Sequence, residues 1–228
     1  MTPSRPPAPD VVLFDVDGTL VDSYRLYLES YRRAVEPAIG RAPSVEEIAA
    51  RAPSAERRFL LDWIGEERVD ECHDALCRHY AELHGALGEG PYEGVREMLA
   101  GLGSAGLLLG IVTGKGRRLW EVTEPTLPVD VFAVVVTEDD VERPKPDPEG
   151  LIAAARALAV PPERIAYVGD SLADLKAGRA AGMRVGAALW PKTEPADREG
   201  FLAAAARLAP DWLFERPADV TRTFAGWC

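Results

Sequence analysis

Cysteine is scarce in this chain, and long apolar runs are missing from it. The three cysteines among its 228 residues form no CxxC pair, and their odd number leaves one without a disulfide partner. Such usage is typical of a reducing compartment, so we expect a cytoplasmic location. No apolar run approaches the length that spans a bilayer, and the Pro-rich residues 1–9 lack the apolar core of a signal peptide. We therefore expect a flexible N-terminal tail and no membrane partner.

Positive charge is also in short supply. Asp and Glu outnumber Lys and Arg by 37 to 26, and the net charge is −11. This balance argues against a nucleic-acid partner, because a phosphate backbone is bound by basic surfaces. An anionic substrate would have to be attracted by a local cation, since the overall field repels it.

Histidine is limited to three residues, all close in sequence to two of the cysteines. On a helix, His73 and Cys77 would share one face, while Cys72 and His79 would share another. His84 lies too far along the helix axis to join the first pair. The spacing favours ordinary helix positions over a zinc site.

The most informative motif is DVDGTL, residues 15–20, which follows an apolar run at residues 11–14. The run predicts a short buried parallel strand, and Asp15 and Asp17 leave its carboxyl end on the same side of the chain. Ligands of open α/β sheets bind at that end. Two acids so close call for a cation between them, or for one acid that stays protonated. Either arrangement suits a nucleophile paired with a general acid/base.

Further apolar runs, at residues 107–112, 134–136 and 165–168, precede polar residues in the same manner. In a parallel sheet, these residues would gather at one edge. They add a hydroxyl, a lysine and two acids to the first pair, and the whole set can bind a divalent metal ion and a phosphate. The added residues are Thr113 with Gly114, Lys145, Asp170 and Asp174.

Helical spacing occupies the chain between the first two strands, from about residue 22 to residue 88. It predicts a helix over residues 24–35 ended by Pro37, a short helix after residue 44, and helices over 55–64 and 66–87. Beyond residue 92, helices and strands alternate to the end. We predict an α/β doubly wound parallel sheet, formed by residues 1–21 and 89–228, with residues 22–88 as a small all-helical domain.

The four motifs resemble, in order, those of the haloacid dehalogenase (HAD) superfamily. Their residues are most similar to those of its phosphoglycolate phosphatase-like branch. They are DVDGTL, the Thr of IVTGK, the Lys of RPKPDP and GDSLADLKAGRAAG, and they lie within residues 11–190. The resemblance implies a HAD-like Rossmannoid core and a helical cap between the first two motifs.

The resemblance also implies roles for the motif residues. Asp15 would be the nucleophile that forms an aspartyl-phosphate. Asp17 would protonate the leaving oxygen and then activate water, and dehalogenating members lack this acid because halide leaves without a proton. Thr113, Gly114 and Lys145 would bind the phosphate, whereas Lys115 is expected at the rim of the site.

Magnesium is the implied cofactor. Its ligands would be Asp15, the backbone carbonyl of Asp17, and Asp170. Asp174 is a further candidate, but Ser171 to Asp174 also has the pattern of a capping box, so a role at the start of its own helix remains open.

The cap is expected to determine selectivity. Arg51 is our candidate for binding a substrate carboxylate or a second phosphate. Other cap residues that could face the cleft are Tyr24, Arg25, Tyr27, Arg57, Arg58 and Trp63.

Rival functions differ from the phosphatase in one residue or one spacing each. A phosphonate-cleaving relative needs a cap lysine for a Schiff base, and no lysine precedes Lys115. A sugar phosphomutase relative usually has His where Tyr27 stands. A receiver-like or other non-catalytic phosphate-binding module would have adjacent acids or would have lost a motif residue.

We expect a magnesium-dependent phosphatase of a small phosphorylated metabolite, a monomer or a homodimer. Phosphoglycolate is the favoured substrate by resemblance. Pyrophosphate, sugar phosphates and nucleotides compete with it.

Overall fold

A computed structural model of the protein describes residues 8–49, 55–87 and 90–227. They form a six-stranded sheet covered by helices, with four helices inserted after the first strand. The strands are β1 (Val11–Phe14), β2 (Leu108–Val112), β3 (Phe132–Val136), β4 (Ile165–Gly169), β5 (Arg184–Ala188) and β6 (Trp212–Phe214). The α-helices are α1 (Tyr24–Ile39), α2 (Val45–Ala49), α3 (Glu56–Ile64), α4 (Val69–His84), α5 (Val95–Ser104), α6 (Arg117–Thr123), α7 (Glu149–Leu158), α8 (Leu172–Ala180), α9 (Pro195–Ala205) and α10 (Pro217–Phe224).

The sheet is parallel throughout and has the strand order β3-β2-β1-β4-β5-β6. The predicted doubly wound α/β fold is confirmed. β1 is fully buried because both of its faces are covered: Val12 and Phe14 pack into one apolar core, and Leu13 packs into the other. The winding reverses beside β1, so the carboxyl ends of β1, β2 and β4 meet where ligands of such sheets bind.

The four inserted helices, α1 to α4, have an apolar core of their own. α1 packs against α4, and the shared core includes Tyr31, Phe59, Leu60 and Leu76. Aromatic rings supply much of its area, with 4.3 Å between the ring centroids of Tyr31 and Phe59. We refer to α1–α4 as the cap. Its predicted boundaries, near residues 21 and 89, stay a prediction.

Several helix ends differ from the prediction. α1 continues through Pro37 to Ile39, because a proline this close to the end removes few helical hydrogen bonds; Gly40, at φ 73°, ends the helix. The helix predicted over residues 66–87 divides into a 3₁₀ turn at Glu66–Arg68 followed by α4. Beyond residue 92, where the sequence predicts alternating helices and strands, α5 begins at Val95 and α9 begins at Pro195.

The cysteines and histidines of α4 do not form a metal-binding group in the part of the chain that the structure describes. Cys72 and Cys77 are buried free thiols. His73 lies 3.4 Å from Glu56, and His79 lies 3.3 Å from a neighbouring carboxylate. Cys228 falls outside the described residues. No helix within the described part of the chain is both long and apolar enough to cross a membrane.

Candidate active site

A cavity of about 510 Å³ lies between the cap and the carboxyl ends of β1, β2 and β4. The predicted core residues Asp15, Asp17, Thr113, Lys145 and Asp170 all line it, as does Gly114. Asp174 is buried just behind it. Parallel strands bring residues more than 150 positions apart in sequence to one edge.

Lys145 lies between two carboxylates in the floor of the cavity. Its Nζ is 2.9 Å from Asp15 Oδ1, and it donates a hydrogen bond to Asp174 Oδ1 at 2.6 Å. The hydroxyl of Tyr167, in β4, is 3.0 Å away. Burial alone would lower the pKa of Lys145, but Asp15 and Asp174 outweigh it and hold that pKa well above its usual range. Lys145 is therefore a fixed ammonium beside Asp15.

Asp174 forms the capping box at the start of α8. Its Oδ2 accepts hydrogen bonds from the backbone N–H and the hydroxyl of Ser171, and its own N–H donates to Ser171 Oγ. Its Oδ1 faces Lys145 and Tyr167. Both oxygens are thus engaged within the protein, so the capping interpretation of Asp174 has direct structural support.

Asp170 follows β4 and faces Asp15 across the cavity floor. Lys192 donates a 2.6 Å hydrogen bond to Asp170 Oδ2, and the Thr19 hydroxyl donates to Oδ1 at 3.3 Å. Burial raises the pKa of Asp170, although Lys192 opposes the rise. Gly18 has φ +77°, and a Cβ there would lie 2.7 Å from both carboxylate oxygens of Asp170, so the chain can approach this closely only at glycine.

The carboxylates at this edge suit a divalent cation. One oxygen each from Asp15, Asp170 and Asp174 lies within 4.8 Å of the others. Burial raises the pKa of Asp15 to about 7; Asp174 and the other acids add to the rise, and Lys145 opposes it. A carboxylate nucleophile must be ionised, and a nearby divalent cation would favour that form. The donor set, all oxygen, is the type that Mg²⁺ takes.

Asp17 is directed towards the cap side of the cavity. It accepts a 2.6 Å hydrogen bond from the hydroxyl of Ser23, immediately before α1. Lys115 Nζ lies 3.0 Å from the same oxygen, Oδ1. These two contacts fix the direction of the Asp17 carboxylate.

Thr113 and Gly114 form the turn that follows β2. The N–H of Thr113 extends the sheet by donating to the carbonyl of Val136, in β3, and its hydroxyl accepts from the N–H of Lys115. The turn places Thr113 and Gly114 on the wall of the same cavity that Asp15 lines.

Lys115 is not at the rim, as predicted, but 1% exposed. Its Nζ donates to the hydroxyl of Tyr80, in α4, at 2.7 Å and lies 4.4 Å from the ring centroids of Tyr27 and Tyr80. Burial would lower the pKa of Lys115, but Asp17 and Tyr80 raise it above the usual value. The prediction was wrong because the cap covers this turn, which a motif alone does not reveal.

The cap wall of the cavity is mainly aromatic and apolar, with one carboxylate. It consists of Ser23, Tyr24, Tyr27, Leu28, Tyr31, Ala55 and Glu56. Glu56 is 2% exposed, and its Oε1 accepts from the Tyr27 hydroxyl and from the N–H of Gly116 in the core.

The cap candidates from the sequence divide into two groups. Tyr24 and Tyr27 line the cavity. Arg57 pairs with Asp70, Arg58 lies on the exposed face of α3, and Trp63 packs against Phe59. Arg25 is exposed and does not line the cavity. Arg51 lies outside the described residues.

Sequence reasoning missed Ser23, Glu56, Tyr167 and Lys192 as members of this site. Ser23 lies immediately before the predicted helix over residues 24–35, and its sequence position does not mark it as a partner of Asp17. Glu56, Tyr167 and Lys192 reach the site through tertiary packing, and no local pattern marks them.

Comparison with known proteins gives the class to which this fold and site belong. Residues 12–188 match the family model of the haloacid dehalogenase-like hydrolases. The chain is 33% identical over 199 residues to N-acetylmuramic acid 6-phosphate phosphatase of Pseudomonas aeruginosa, covering 85% of this chain and 87% of that one. It is 32% identical to pyrophosphatase PpaX of Bacillus cereus, covering 92% and 94%.

Among solved structures, a Lactobacillus plantarum protein proposed to be a phosphoglycolate phosphatase superposes with a TM-score of 0.79 at 25% identity, covering 95% of this chain and all of that one. A HAD-superfamily hydrolase of Geobacter sulfurreducens gives a TM-score of 0.67 at 26% identity, covering 97% and 99%. The chain belongs to the haloacid dehalogenase-like hydrolases. It is a hydrolase that acts on phosphate esters, and the family generally uses Mg²⁺.

Proposed function

We propose that the protein is a magnesium-dependent phosphatase that hydrolyses a small phosphomonoester through an aspartyl-phosphate on Asp15. The observation that carries this proposal is the position of Asp15, a buried carboxylate at the end of β1 with the Lys145 ammonium 2.9 Å away. A second acid, Asp17, lies on the cap side of the cavity, where a leaving group would emerge.

In the first half-reaction, an oxygen of Asp15 attacks phosphorus in line with the ester oxygen. The bond between phosphorus and that oxygen breaks, and Asp17 transfers its proton to the departing alkoxide. Lys145, the Thr113 hydroxyl and the Gly114 N–H hold the non-bridging phosphoryl oxygens and offset their charge.

In the second half-reaction, Asp17, now ionised, removes a proton from water as the water oxygen attacks phosphorus. The bond from phosphorus to Asp15 breaks, which releases inorganic phosphate and restores the carboxylate. Both half-reactions therefore use the same acid/base in opposite directions.

Asp15, Asp170 and the backbone carbonyl of Asp17 would hold Mg²⁺, with Asp174 as a neighbour whose oxygens are already engaged. When bound, the ion would offset the charge shared between the nucleophile and the phosphoryl group. Asp15 Oδ1 supports this assignment, because this buried oxygen forms an ion pair with Lys145 but accepts no hydrogen bond, which leaves it able to take a further cationic partner.

The cavity favours a sugar phosphate over phosphoglycolate as the substrate. Its volume of about 510 Å³ lies within the range of about 300–1,000 Å³ that is common for small-molecule sites. Phosphoglycolate has about nine non-hydrogen atoms and a hexose phosphate about sixteen, so the larger molecule fills the site better. Tyr24, Tyr27 and Tyr31 offer apolar ring faces, and the sugar-phosphate phosphatase among the relatives is consistent with this choice.

Phosphoglycolate, predicted from the sequence, becomes the second candidate, because it would fill less of the cavity than a sugar phosphate. Pyrophosphate is a third candidate, supported by the relative of that activity. Its leaving group is anionic, and it would meet the Glu56 carboxylate on the cap wall.

A phosphomutase is disfavoured by Tyr27. Its hydroxyl donates to Glu56 at 3.0 Å, and burial, followed by Asp17 and Glu56, raises the pKa of Tyr27 well above its usual range. A tyrosine held in this way does not exchange protons near neutral pH, so it does not replace the histidine that mutases carry at this position.

We further propose a cytoplasmic protein, monomeric or homodimeric, that binds neither nucleic acid nor membranes. The net charge of −11 and the scarcity of cysteine support this proposal.

The test is a substrate panel assayed after chelation and readdition of Mg²⁺. We expect activity only with the metal, and a higher kcat/KM for hexose and N-acetylated amino-sugar phosphates than for phosphoglycolate or pyrophosphate. Asp15→Asn, which preserves volume, should be folded and inactive. Full turnover by that variant would reject the mechanism, whereas a tenfold preference for phosphoglycolate would reject only the substrate assignment.

A further inference from the structure

Lys115 is a buried cation for which the hydrolytic steps above have no use. Its ammonium group is fully enclosed, 3.0 Å from Asp17 Oδ1 and 2.7 Å from the hydroxyl of Tyr80. The side chain belongs to the core, since it follows the turn of Thr113 and Gly114. Its surroundings belong partly to the core and partly to the cap.

The cap contributes the aromatic part of this enclosure. The rings of Tyr27, in α1, and Tyr80, in α4, each lie 4.4 Å from Nζ, within the range of a cation–π contact. The Tyr80 hydroxyl is also 2.9 Å from the Thr123 hydroxyl, in the core helix α6. When the cap is in place, the Tyr80 hydroxyl therefore contacts two core residues, Lys115 and Thr123.

An ammonium that loses water in this way needs a carboxylate partner, because an unpaired buried charge is costly. Asp17 is the acid that Lys115 reaches, and Ser23 holds the same oxygen from the start of α1. The direction of the Asp17 carboxylate thus depends on a core lysine that is itself held by a cap tyrosine.

We propose that Lys115 is a positioning residue that couples the seating of the cap, through Tyr80, to the orientation of the Asp17 carboxylate. This inference rests on the proposed role of Asp17 as the acid that protonates the leaving group. Through this coupling, Asp17 delivers its proton efficiently only when the cap covers the substrate.

The coupling predicts a dependence on the leaving group. Alkyl phosphates leave as strongly basic alkoxides and need the proton of Asp17, whereas 4-nitrophenyl phosphate leaves without much assistance. Lys115→Met removes the charge and retains the chain length. It should lower kcat for an alkyl phosphate by about 10- to 100-fold, the range for a charged hydrogen bond, while KM and the rate with 4-nitrophenyl phosphate change by less than about threefold.

Tyr80→Phe retains the ring and removes the hydroxyl that holds Lys115. It should show the same selectivity for poor leaving groups with a smaller loss. Lys115→Arg, which keeps the positive charge, should recover part of the alkyl phosphate rate. Lys176→Met is the matched control, because Lys176 is an exposed lysine on α8, away from the cavity.

A double-mutant cycle separates positioning from a general structural effect. If Lys115 acts through Asp17, Lys115→Met should add less than about threefold to the loss already caused by Asp17→Asn. A fully additive loss, or equal losses with alkyl and aryl phosphates, would overturn the inference. If Lys115→Met does not fold, Tyr80→Phe and Asp17→Asn form the same cycle.

The proposed function can fail separately. If Asp17→Asn itself lost alkyl and aryl phosphate activity equally, the acid role of Asp17 would be wrong. If Asp17→Asn is selective for poor leaving groups and both Lys115→Met and Tyr80→Phe are not, only the coupling is wrong.

Discussion

Glu138 should make the stability of the protein fall as the pH rises through the neutral range. This residue follows β3 in the core, and its Oε2 accepts a 2.7 Å hydrogen bond from the N–H of Glu56, the first residue of α3 in the cap. Glu56 in turn accepts from the N–H of Gly116, just before the core helix α6. Each carboxylate therefore occupies the N-terminus of a helix across the cap boundary, and the two acids lie close together.

The size of this loss of stability follows from the raised pKa of Glu138. Burial, with the Glu56 charge next, raises the pKa of Glu138 from 4.5 to about 7. The folded state therefore retains a proton that the unfolded chain has already lost, so the contribution of Glu138 to stability falls between about pH 4.5 and pH 7. At 1.36 kcal/mol for each pKa unit, the loss between pH 5 and pH 8 is about 2.5 kcal/mol.

Urea unfolding of Glu138→Gln and of the natural protein, at pH 5 and pH 8, measures this quantity. Glutamine retains a carbonyl acceptor for the α3 amide but does not titrate. Relative to the natural protein, the variant should gain about 2.5 kcal/mol on going from pH 5 to pH 8. For Glu163→Gln, at an exposed position, the difference in the free energy of unfolding from the natural protein should be the same at both pH values. Equal differences at the two pH values would refute the reasoning.

Three further changes test individual parts of the site. Gly18→Ala should raise the Mg²⁺ concentration needed for activity by at least tenfold, because the new Cβ would lie 2.7 Å from the Asp170 oxygens; unchanged metal activation would contradict this. Asp174→Asn should lower the free energy of urea unfolding by about 3 kcal/mol or more, since it leaves the buried Lys145 with one carboxylate fewer; a loss below about 1 kcal/mol would contradict it. Arg51→Ala should raise KM for phosphoglycolate by about 10-fold or more if Arg51 binds the carboxylate, and it should leave KM for an aryl phosphate without a carboxylate unchanged; equal responses would exclude that role.

The sheet could be predicted from sequence because each of its central strands is a continuous apolar run followed at once by polar residues. A strand buried on both faces needs apolar residues at nearly every position, so such a run predicts it well. The parallel arrangement then brings the carboxyl ends of the strands to one edge of the sheet. Asp15, Thr113 and Asp170 follow from that rule alone. Lys145 required the motif as well, because it lies in a loop nine residues beyond β3.

The contacts between cap and core could not be predicted, since they join residues with no local relationship. Lys115 is expected at the rim from the motif alone, yet the packing of Tyr80 from α4 encloses it. Glu56 lies at the start of the helix predicted over residues 55–64, where no local pattern marks it, and its amide partner, Gly116, lies 60 residues away. Such pairings depend on how two separately packed cores meet.

Lysine and arginine occupy different places in this protein, and the difference relates the overall charge of the chain to the chemistry of the site. The chain has 26 basic residues, and just four are lysines. Three of these four pair with the carboxylates of the site: Lys145 with Asp15 and Asp174, Lys115 with Asp17, and Lys192 with Asp170. The arginines instead form exposed pairs such as Arg41 with Glu47. An ammonium is a compact charge that fits between carboxylates, whereas a guanidinium needs a planar, two-pronged partner.

This distribution supplies the local cation that an acidic chain needs in order to bind an anionic substrate. With Asp17 protonated, as the first half-reaction requires, the site has four other carboxylates and three ammonium groups. Counted as ionised, these groups leave one net negative charge, which repels a phosphate dianion. A bound divalent cation makes the net charge of the site positive, so phosphate binding and metal binding should reinforce each other. The lysines bring the site close enough to neutrality for one bound ion to decide whether the substrate is attracted.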